Sequence, residues 1–286
     1  MHTCRSFASL FLVVVLVGLA GCGGSDRLRH QSAEEAFTQG QSAYESGDYE
    51  KALRYFRAVF QYGRGNEWAD DAQFYLGKTY SEQNKHLLAA NEFKRFAQVY
   101  RNSQRVPEAE YLRAMAYFNL SPQYQLDQTD TRTAVSLFQL FMERYPQHER
   151  VSQAQAHIQT LRNKLARKRY TAGELYERRE MWEAATQTYE SVFDVYPDTP
   201  WADNALHSAL RAYIEYADRS VLGKQDDRLE KAIEQYNRLA QLFPDSDLTK
   251  DAQSMYEEAQ EKLARVREEQ GRDGSLASDR STRDGA

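Results

Sequence analysis

Residues 40–59, GQSAYESGDYEKALRYFRAV, and residues 77–96, GKTYSEQNKHLLAANEFKRF, carry the same pattern 37 positions apart. Within each stretch a glycine stands twelve positions before an alanine, and an aromatic residue stands four positions after that alanine. These positions are Gly40, Ala52 and Phe56, and Gly77, Ala89 and Phe93. A small residue lets a second helix approach closely, and residues four apart lie on one helix face. Each stretch is therefore predicted to form two packed helices.

The pattern recurs three more times along the chain. One copy has the same spacing, and two carry extra residues between the small residue and the alanine. Their members are Gly173, Ala185 and Tyr189; Ala114, Ala134 and Phe138; Leu210, Ala232 and Tyr236. These spacings resemble the tetratricopeptide repeat, whose units stack because no single unit buries its own apolar side. We predict an all-α fold, a right-handed superhelix of about five such repeats. A plain amphipathic helical bundle with coincidental aromatic residues is the alternative.

The amino-terminal segment resembles a bacterial lipoprotein signal. Its apolar run, Leu10–Ala20, is eleven residues long, whereas a membrane-spanning helix needs roughly 20. The run ends at a Leu-Ala-Gly-Cys string, so Cys22 is expected to become the lipid-bearing first residue of the mature chain. That covalent lipid is the only attached group expected, with no other cofactor. Gly23 and Gly24 follow the cysteine instead of an aspartate, which indicates a lipid-anchored protein of the outer membrane.

Composition divides the chain into segments. The stretch after the cysteine is small and polar, which is typical of a tether. The carboxy-terminal stretch is rich in Arg, Asp, Gly and Ser and lacks an apolar period, which predicts disorder. The predicted segments are a signal peptide (1–21), a lipidated tether (22–32), a repeat domain (33–264, with N-terminal repeats 33–147 and C-terminal repeats 148–264) and a disordered polar tail (265–286).

Charge and motifs argue against several functions. Removing Arg5 with the signal leaves 36 basic and 42 acidic residues, a net charge of −6. This acidity disfavours a nucleic-acid partner, which would require a basic face. The sequence also lacks the zinc motif His-Glu-x-x-His, a phosphate-binding loop and a serine-nucleophile elbow. We therefore expect no metal site and no enzymatic activity.

The insert of the third copy points to a family. Residues 121–131, SPQYQLDQTDT, precede Phe138, Phe141, Tyr145 and Pro146. This run, together with the lipid signal, resembles the BamD (YfiO-type) family of lipoproteins of the outer-membrane β-barrel assembly machinery, over roughly residues 33–262. The longer insert at 217–226 and the polar tail depart from that pattern.

The resemblance implies a scaffold on the periplasmic face of the outer membrane. Such a scaffold would bind the periplasmic domains of BamA and unfolded outer-membrane β-barrel precursors, with other lipoproteins of the complex as further partners. One alternative is a tetratricopeptide lipoprotein of another envelope machine, such as a secretin pilotin or a cell-wall coordinator, which would lack the Asp-Gln-Thr insert. An envelope enzyme docked by its repeats would need a second domain.

Aromatic residues three positions before the small packing residues suggest a peptide-binding groove. These rings are Phe37, Phe74, Tyr111 and Tyr170, with His207 as the fifth counterpart. The full predicted groove consists of Phe37, Gln41, Tyr44, Phe74, Lys78, Tyr111, Met115, Phe118 and Tyr170. The alternative is that the rings pack between successive units and never meet a ligand.

Two further features have open interpretations. Tyr124 and Leu126 in the insert either plug the groove or bind a partner, or they fasten the loop to the repeats. The basic stretch Arg162, Lys164, Arg167, Lys168 and Arg169 either meets an acidic partner or forms a solvated helix face, of which the second is favoured.

Overall fold

The computed structural model describes residues 30–283, with side chains described through residue 272. The predicted signal peptide, Cys22 and the tether through residue 29 lie outside the described residues. Within 30–283 the chain forms eleven α-helices and no strand, which confirms the all-α fold class. The helices are α1 (Ala33–Glu45), α2 (Tyr49–Val59), α3 (Ala69–Glu82), α4 (His86–Val99), α5 (Val106–Leu120), α6 (Thr129–Arg144), α7 (Val151–Arg178), α8 (Trp182–Val195), α9 (Ala202–Asp218), α10 (Leu222–Leu242) and α11 (Asp247–Arg283), and a 3₁₀ turn, Phe60–Tyr62, follows α2.

The helices pair into five helix-turn-helix repeats in two compact units, one ending at Tyr100 and the other beginning at Arg101. The first unit contains α1–α4, and the second contains α5–α11. The predicted division at residue 147 is therefore wrong, because the third repeat, α5 and α6, belongs with the repeats that follow it. The physical reason is a shared core, in which Phe138 and Phe141 of α6 pack with Ile158 and Leu161 of α7.

The turns inside three repeats share one backbone conformation, a residue with a positive φ angle. Gly47, Asn84 and Glu180 each stand seven positions after the repeat's glycine and have positive φ angles of 79°, 57° and 56°. In each turn the next backbone N–H donates back to a carbonyl of the first helix, as in Asp48 N to Ala43 O at 2.9 Å. This left-handed position ends the first helix and starts the second.

The predicted glycine–aromatic contacts are confirmed. The glycines are Gly40, Gly77 and Gly173, and their aromatic partners are Phe56, Phe93 and Tyr189. A Cβ added at each of these glycines would lie 2.7, 2.6 or 2.5 Å from a ring carbon of its partner. All three rings are almost completely buried. Close approach of the second helix therefore depends on the missing side chain.

The last helix corrects the predicted tail. The chain stays helical through Arg283, so disorder from residue 265 is wrong for 265–283. Val266 is buried, and Gln270 Nε2 donates to Leu222 O at 2.9 Å, so α11 continues to pack on α10 beyond the expected end of the domain. An Arg272–Glu268 ion pair supports the next turn. Among the described residues no helix combines the length and apolar content of a membrane span.

Candidate functional site

Three rings of the predicted groove lie in the core. Phe37, Phe74 and Tyr111 are each 3% exposed. The Phe74 ring lies 5.8 Å from the Phe93 ring and 5.6 Å from the Phe96 ring, both on the second helix of the repeat. These residues are therefore core residues, not the lining of an open groove, which corrects the prediction. The alternative placed these rings between successive units, whereas Phe74 packs inside its own repeat.

The fourth ring and its histidine counterpart also make internal contacts. Tyr170 is half-buried, its hydroxyl lies 2.9 Å from Ser208 Oγ, and its ring lies 5.2 Å from the Trp201 ring. Burial raises the pKa of Tyr170. His207 is buried, with Nε2 3.0 Å from Asp251 Oδ2. Both residues tie a first helix to the following first helix.

The remaining groove residues of the first unit form a partly exposed patch around a ring that the sequence prediction missed. We call Gln41, Tyr44, Tyr75 and Lys78 the Tyr44 surface. Lys78 Nζ lies 5.4 Å from the centroid of the Tyr44 ring and 5.1 Å from that of Tyr75. Gln41 Nε2 donates to Tyr75 Oη at 3.4 Å. Burial and the nearby Glu82 carboxylate raise the pKa of Tyr44 to about 12, so its phenol remains a donor at neutral pH.

In the second unit, Met115 and Phe118 pack against one core cluster, and Phe118 lies beside a histidine that was not predicted as a site residue. We call Met115, Phe118 and His157 the Phe118 surface. The Phe118 and His157 ring centroids are 4.6 Å apart, and His157 Nε2 lies 3.3 Å from Tyr111 Oη. Burial lowers the pKa of His157, which favours the neutral imidazole. All three residues are half-buried, so each meets solvent in part.

The insert loop is fastened to α7. Arg167 Cζ lies 4.3 Å from the centroid of the Tyr124 ring, and Lys168 Nζ donates to Leu126 O at 2.5 Å. Of the two interpretations, fastening describes the geometry of Tyr124. The Leu126 side chain points to solvent and is 59% exposed.

The basic stretch on α7 is mostly engaged in contacts within the chain. Lys164 Nζ donates to Ser121 Oγ at 2.7 Å, and burial lowers the pKa of Lys164. Arg162 Nε donates to both carboxylate oxygens of Asp198, at 3.1 and 3.0 Å. Arg169 Nη1 donates to the carbonyl of Ser191. The favoured interpretation, a solvated helix face, is therefore wrong for these side chains.

A family model described as "YfiO: Outer membrane lipoprotein" matches residues 29–226. The chain belongs to this YfiO family. The resemblance based on the insert is thereby confirmed. Outer membrane protein assembly factor BamD of Caulobacter vibrioides is 24% identical over 73% of this chain and 70% of its own length. The BamD of Vibrio cholerae is 24% identical over 83% of this chain and 99% of its own. A tetratricopeptide-repeat protein from Bacteroides fragilis superposes with a TM-score of 0.45 at 13% identity, covering 82% of this chain and all of its own.

The YfiO match contains both partly exposed surfaces and the insert loop, and it ends inside α10. Membership of this family of outer membrane lipoproteins associates the chain with the cell envelope. Within residues 30–272 no group of three His, Cys, Asp or Glu side chains could hold a metal ion. The partly exposed side chains of the two surfaces are rings, a thioether, an amide and an ammonium. Such groups suit contact with a polypeptide.

The Arg162–Asp198 contact predicts a pH dependence of stability in this YfiO protein. Hydrogen bonds from Arg162 hold the pKa of Asp198 below its ordinary value of 3.8. The contact therefore stabilises the fold above about pH 4, and this contribution is lost as pH falls through the lowered folded pKa. Because the Asp198 carboxylate is nearly half exposed, we expect the contact to add at most about 1 kcal/mol to the free energy of unfolding.

The measurement is urea unfolding of wild type and Asp198→Asn from acid to neutral pH. The difference in unfolding free energy between the two proteins should grow as pH rises and vanish in acid. Glu261→Gln is the control, because the Glu261–Arg265 pair is 3.8 Å long and mostly exposed. This variant should leave the free energy of unfolding unchanged at every pH. An Asp198→Asn effect of equal size at every pH would contradict the electrostatic cause.

Proposed function

We propose that this chain is an outer-membrane protein assembly factor. It is a lipoprotein anchored through Cys22 on the periplasmic face of the outer membrane, and it works as a scaffold. It binds the periplasmic domains of BamA and unfolded β-barrel precursors for insertion, without catalysing a reaction. The observation that carries this proposal is the family match over residues 29–226, with curated relatives named outer membrane protein assembly factor BamD.

The geometry supports recognition of an extended polypeptide. The Tyr44 surface and the Phe118 surface each offer partly exposed rings beside polar atoms, one in each compact unit. Burying a partner's aromatic or aliphatic side chain against such rings stabilises a complex, and neighbouring donors fix the peptide backbone. We therefore assign precursor contacts to Gln41, Tyr44, Lys78, Met115 and Phe118. The buried rings support these residues from behind.

Affinity purification tests the partners. The tagged, lipidated chain is isolated from detergent-solubilised envelopes, and bound proteins are identified by mass spectrometry against a tagged, unrelated lipoprotein. We expect a barrel-forming protein with periplasmic repeat domains. A secretin or cell-wall enzymes in its place would instead favour the other envelope machines. Intact-mass measurement of the same material should find acyl chains on Cys22, and an unmodified cysteine would contradict the anchor.

Tyr44→Ala should weaken binding of a β-barrel precursor's carboxy-terminal peptide about tenfold, or about 1.4 kcal/mol. Tyr44 is half-buried and lies outside the buried core, so helical content should be unchanged by circular dichroism. Tyr44→Phe keeps the ring and should bind nearly normally. Leu87→Ala removes another exposed apolar side chain from the same unit and serves as the control. Equal weakening by Leu87→Ala would show a nonspecific effect, and unchanged affinity of Tyr44→Ala would remove this surface from the proposal.

A further inference from the structure

Arg167 lies in an open concavity of the second unit that none of the precursor contacts above includes. The concavity has a volume of about 570 Å³. Residues 123–125 of the insert loop form one wall, Trp201 forms another, and Asn163, Lys164 and Arg167 of α7 form the floor. We call this site the Arg167 pocket. It shares no residue with the Tyr44 surface or the Phe118 surface.

The Arg167 guanidinium is positioned by rings alone. Its Cζ lies 4.3 Å from the centroid of the Tyr124 ring and 5.9 Å from that of the Trp201 ring. Among the residues whose side chains the structure describes, it makes no hydrogen bond and no ion pair. Cation–π contacts use the face of the guanidinium and leave its N–H groups at the edge free. Arg167 lines the concavity and therefore offers it a planar fork of N–H donors that have no partner among the described residues.

The residues around the Arg167 guanidinium favour a ligand that carries a negative charge next to an apolar group. No acidic side chain lines the pocket, and Lys164 supplies a second positive charge. Lys164 Nζ donates to Ser121 O and Oγ, which leaves one of its three N–H groups unspent. Asn163 and the glutamines of the loop wall add amide groups, while the Tyr124 and Trp201 rings add apolar surface.

A planar guanidinium matches a carboxylate with two parallel hydrogen bonds. We propose that the Arg167 pocket binds an aspartate or glutamate side chain of a partner polypeptide, with a neighbouring apolar side chain against the Tyr124 and Trp201 rings. Leu126, which follows the loop wall in the sequence, is also exposed. The pocket is a docking site for an acidic segment, and it does not depend on precursor binding.

Fluorescence anisotropy of a labelled probe peptide tests the site. The probe is acetyl-Gly-Phe-Glu-Phe-Gly-amide, compared with the same peptide carrying Gln, on the full mature chain. Wild type should bind the Glu peptide about tenfold more tightly than the Gln peptide. Arg167→Gln should abolish this preference, and Arg167→Lys should lose most of it, because the ammonium has no planar fork. Arg178→Gln removes an exposed charge from the same helix and should keep the preference.

Several results would overturn the proposal. One is equal affinity of wild type for the two peptides, and another is equal loss in Arg167→Gln and Arg178→Gln, which would indicate diffuse charge. Tighter binding of inorganic phosphate than of the Glu peptide, measured by competition, would assign the pocket to a free anion. Thermal melts separate folding from binding. A lowered melting temperature in Arg167→Gln, with no peptide preference in wild type, would leave Arg167 as a clamp for the insert loop only.

Discussion

Gly173→Ala should lower the free energy of unfolding by about 2 kcal/mol, although alanine is the better helix former by about 1 kcal/mol. The added Cβ would lie 2.5 Å from Cε1 and 2.7 Å from Cδ1 of Tyr189. These distances are far inside van der Waals contact. Either α7 and α8 separate or the Tyr189 ring leaves its position, and both changes expose apolar surface.

The Tyr189 ring is held by its buried surroundings and by a hydrogen bond from its hydroxyl. Rotating the ring away from the added Cβ would therefore be costly. The residue is fully buried, and its hydroxyl donates to Glu177 Oε2 at 2.7 Å. Arg211 donates to both oxygens of the same carboxylate, at 2.9 and 3.1 Å. Burial raises the pKa of Tyr189, so the phenol stays protonated and keeps donating. A moved ring would lose this bond and leave a buried hydroxyl unpaired.

Gly223→Ala is the matched control. Gly223 is helical, and an added Cβ there meets nothing within 4 Å. We expect a gain of about 0.5 kcal/mol from reduced freedom of the unfolded chain. Urea unfolding of both variants gives the comparison. The double variant Gly173→Ala with Tyr189→Leu should lose less unfolding free energy than the two single variants lose together. If Gly173→Ala instead stabilises the protein as Gly223→Ala does, the close packing is contradicted.

The contact inside the three repeats that carry Gly40, Gly77 or Gly173 could be predicted from spacing alone. Twelve positions from glycine to alanine, and four more to the ring, fix which residues of two adjoining helices meet. The turn residue is fixed by the same count, since Gly47 and Asn84 hold equivalent positions with positive φ. These are local relations, so one sequence suffices to find them.

The prediction that Phe37, Phe74 and Tyr111 line an open groove was wrong for a reason that helical geometry explains. A residue three positions before another lies on nearly the same helix face. Phe74 therefore shares the face of Gly77, and that glycine faces the second helix of its repeat. The ring must follow it into the core. Tyr75, one position later, turns away from that contact and remains half-buried on the Tyr44 surface.

The fastening of the insert loop could not be predicted. Lys164 reaches Ser121, and Lys168 reaches Leu126, across more than forty positions of sequence. A charge run on a helix has the same pattern whether its side chains meet solvent, a loop or a partner. Only the fold shows that, of the five cations in this run, Arg167 alone makes no hydrogen bond to a described residue.

The tail shows a related limit. The stretch 265–286 is polar and lacks an apolar period, which predicted disorder. Beyond that point Arg267 pairs with Glu230 and Arg272 pairs with Glu268, and such contacts leave no apolar period in the sequence.

Phe74→Ala should lower the free energy of unfolding by about 3–5 kcal/mol, the range for removing a buried phenylalanine. Its ring contacts the Phe93 and Phe96 rings and leaves a cavity between α3 and α4 when removed. Tyr111→Ala should cost a similar amount in the second unit, because its ring packs against Phe138 and its hydroxyl meets His157. Thermal melts followed by circular dichroism give the measurement.

Phe118→Ala is the control that separates packing from binding. Phe118 is only half-buried and lies at the edge of the same core, so its truncation should cost about 1 kcal/mol and leave the melt cooperative. Binding of the precursor peptide should show the opposite order. Phe118→Ala should lose peptide affinity at a temperature where the protein is still folded. If Phe74→Ala melts like wild type and loses peptide affinity, its ring reaches the ligand after all. The core assignment would then fail, because a 3% exposed ring cannot contact a peptide unless the repeat opens.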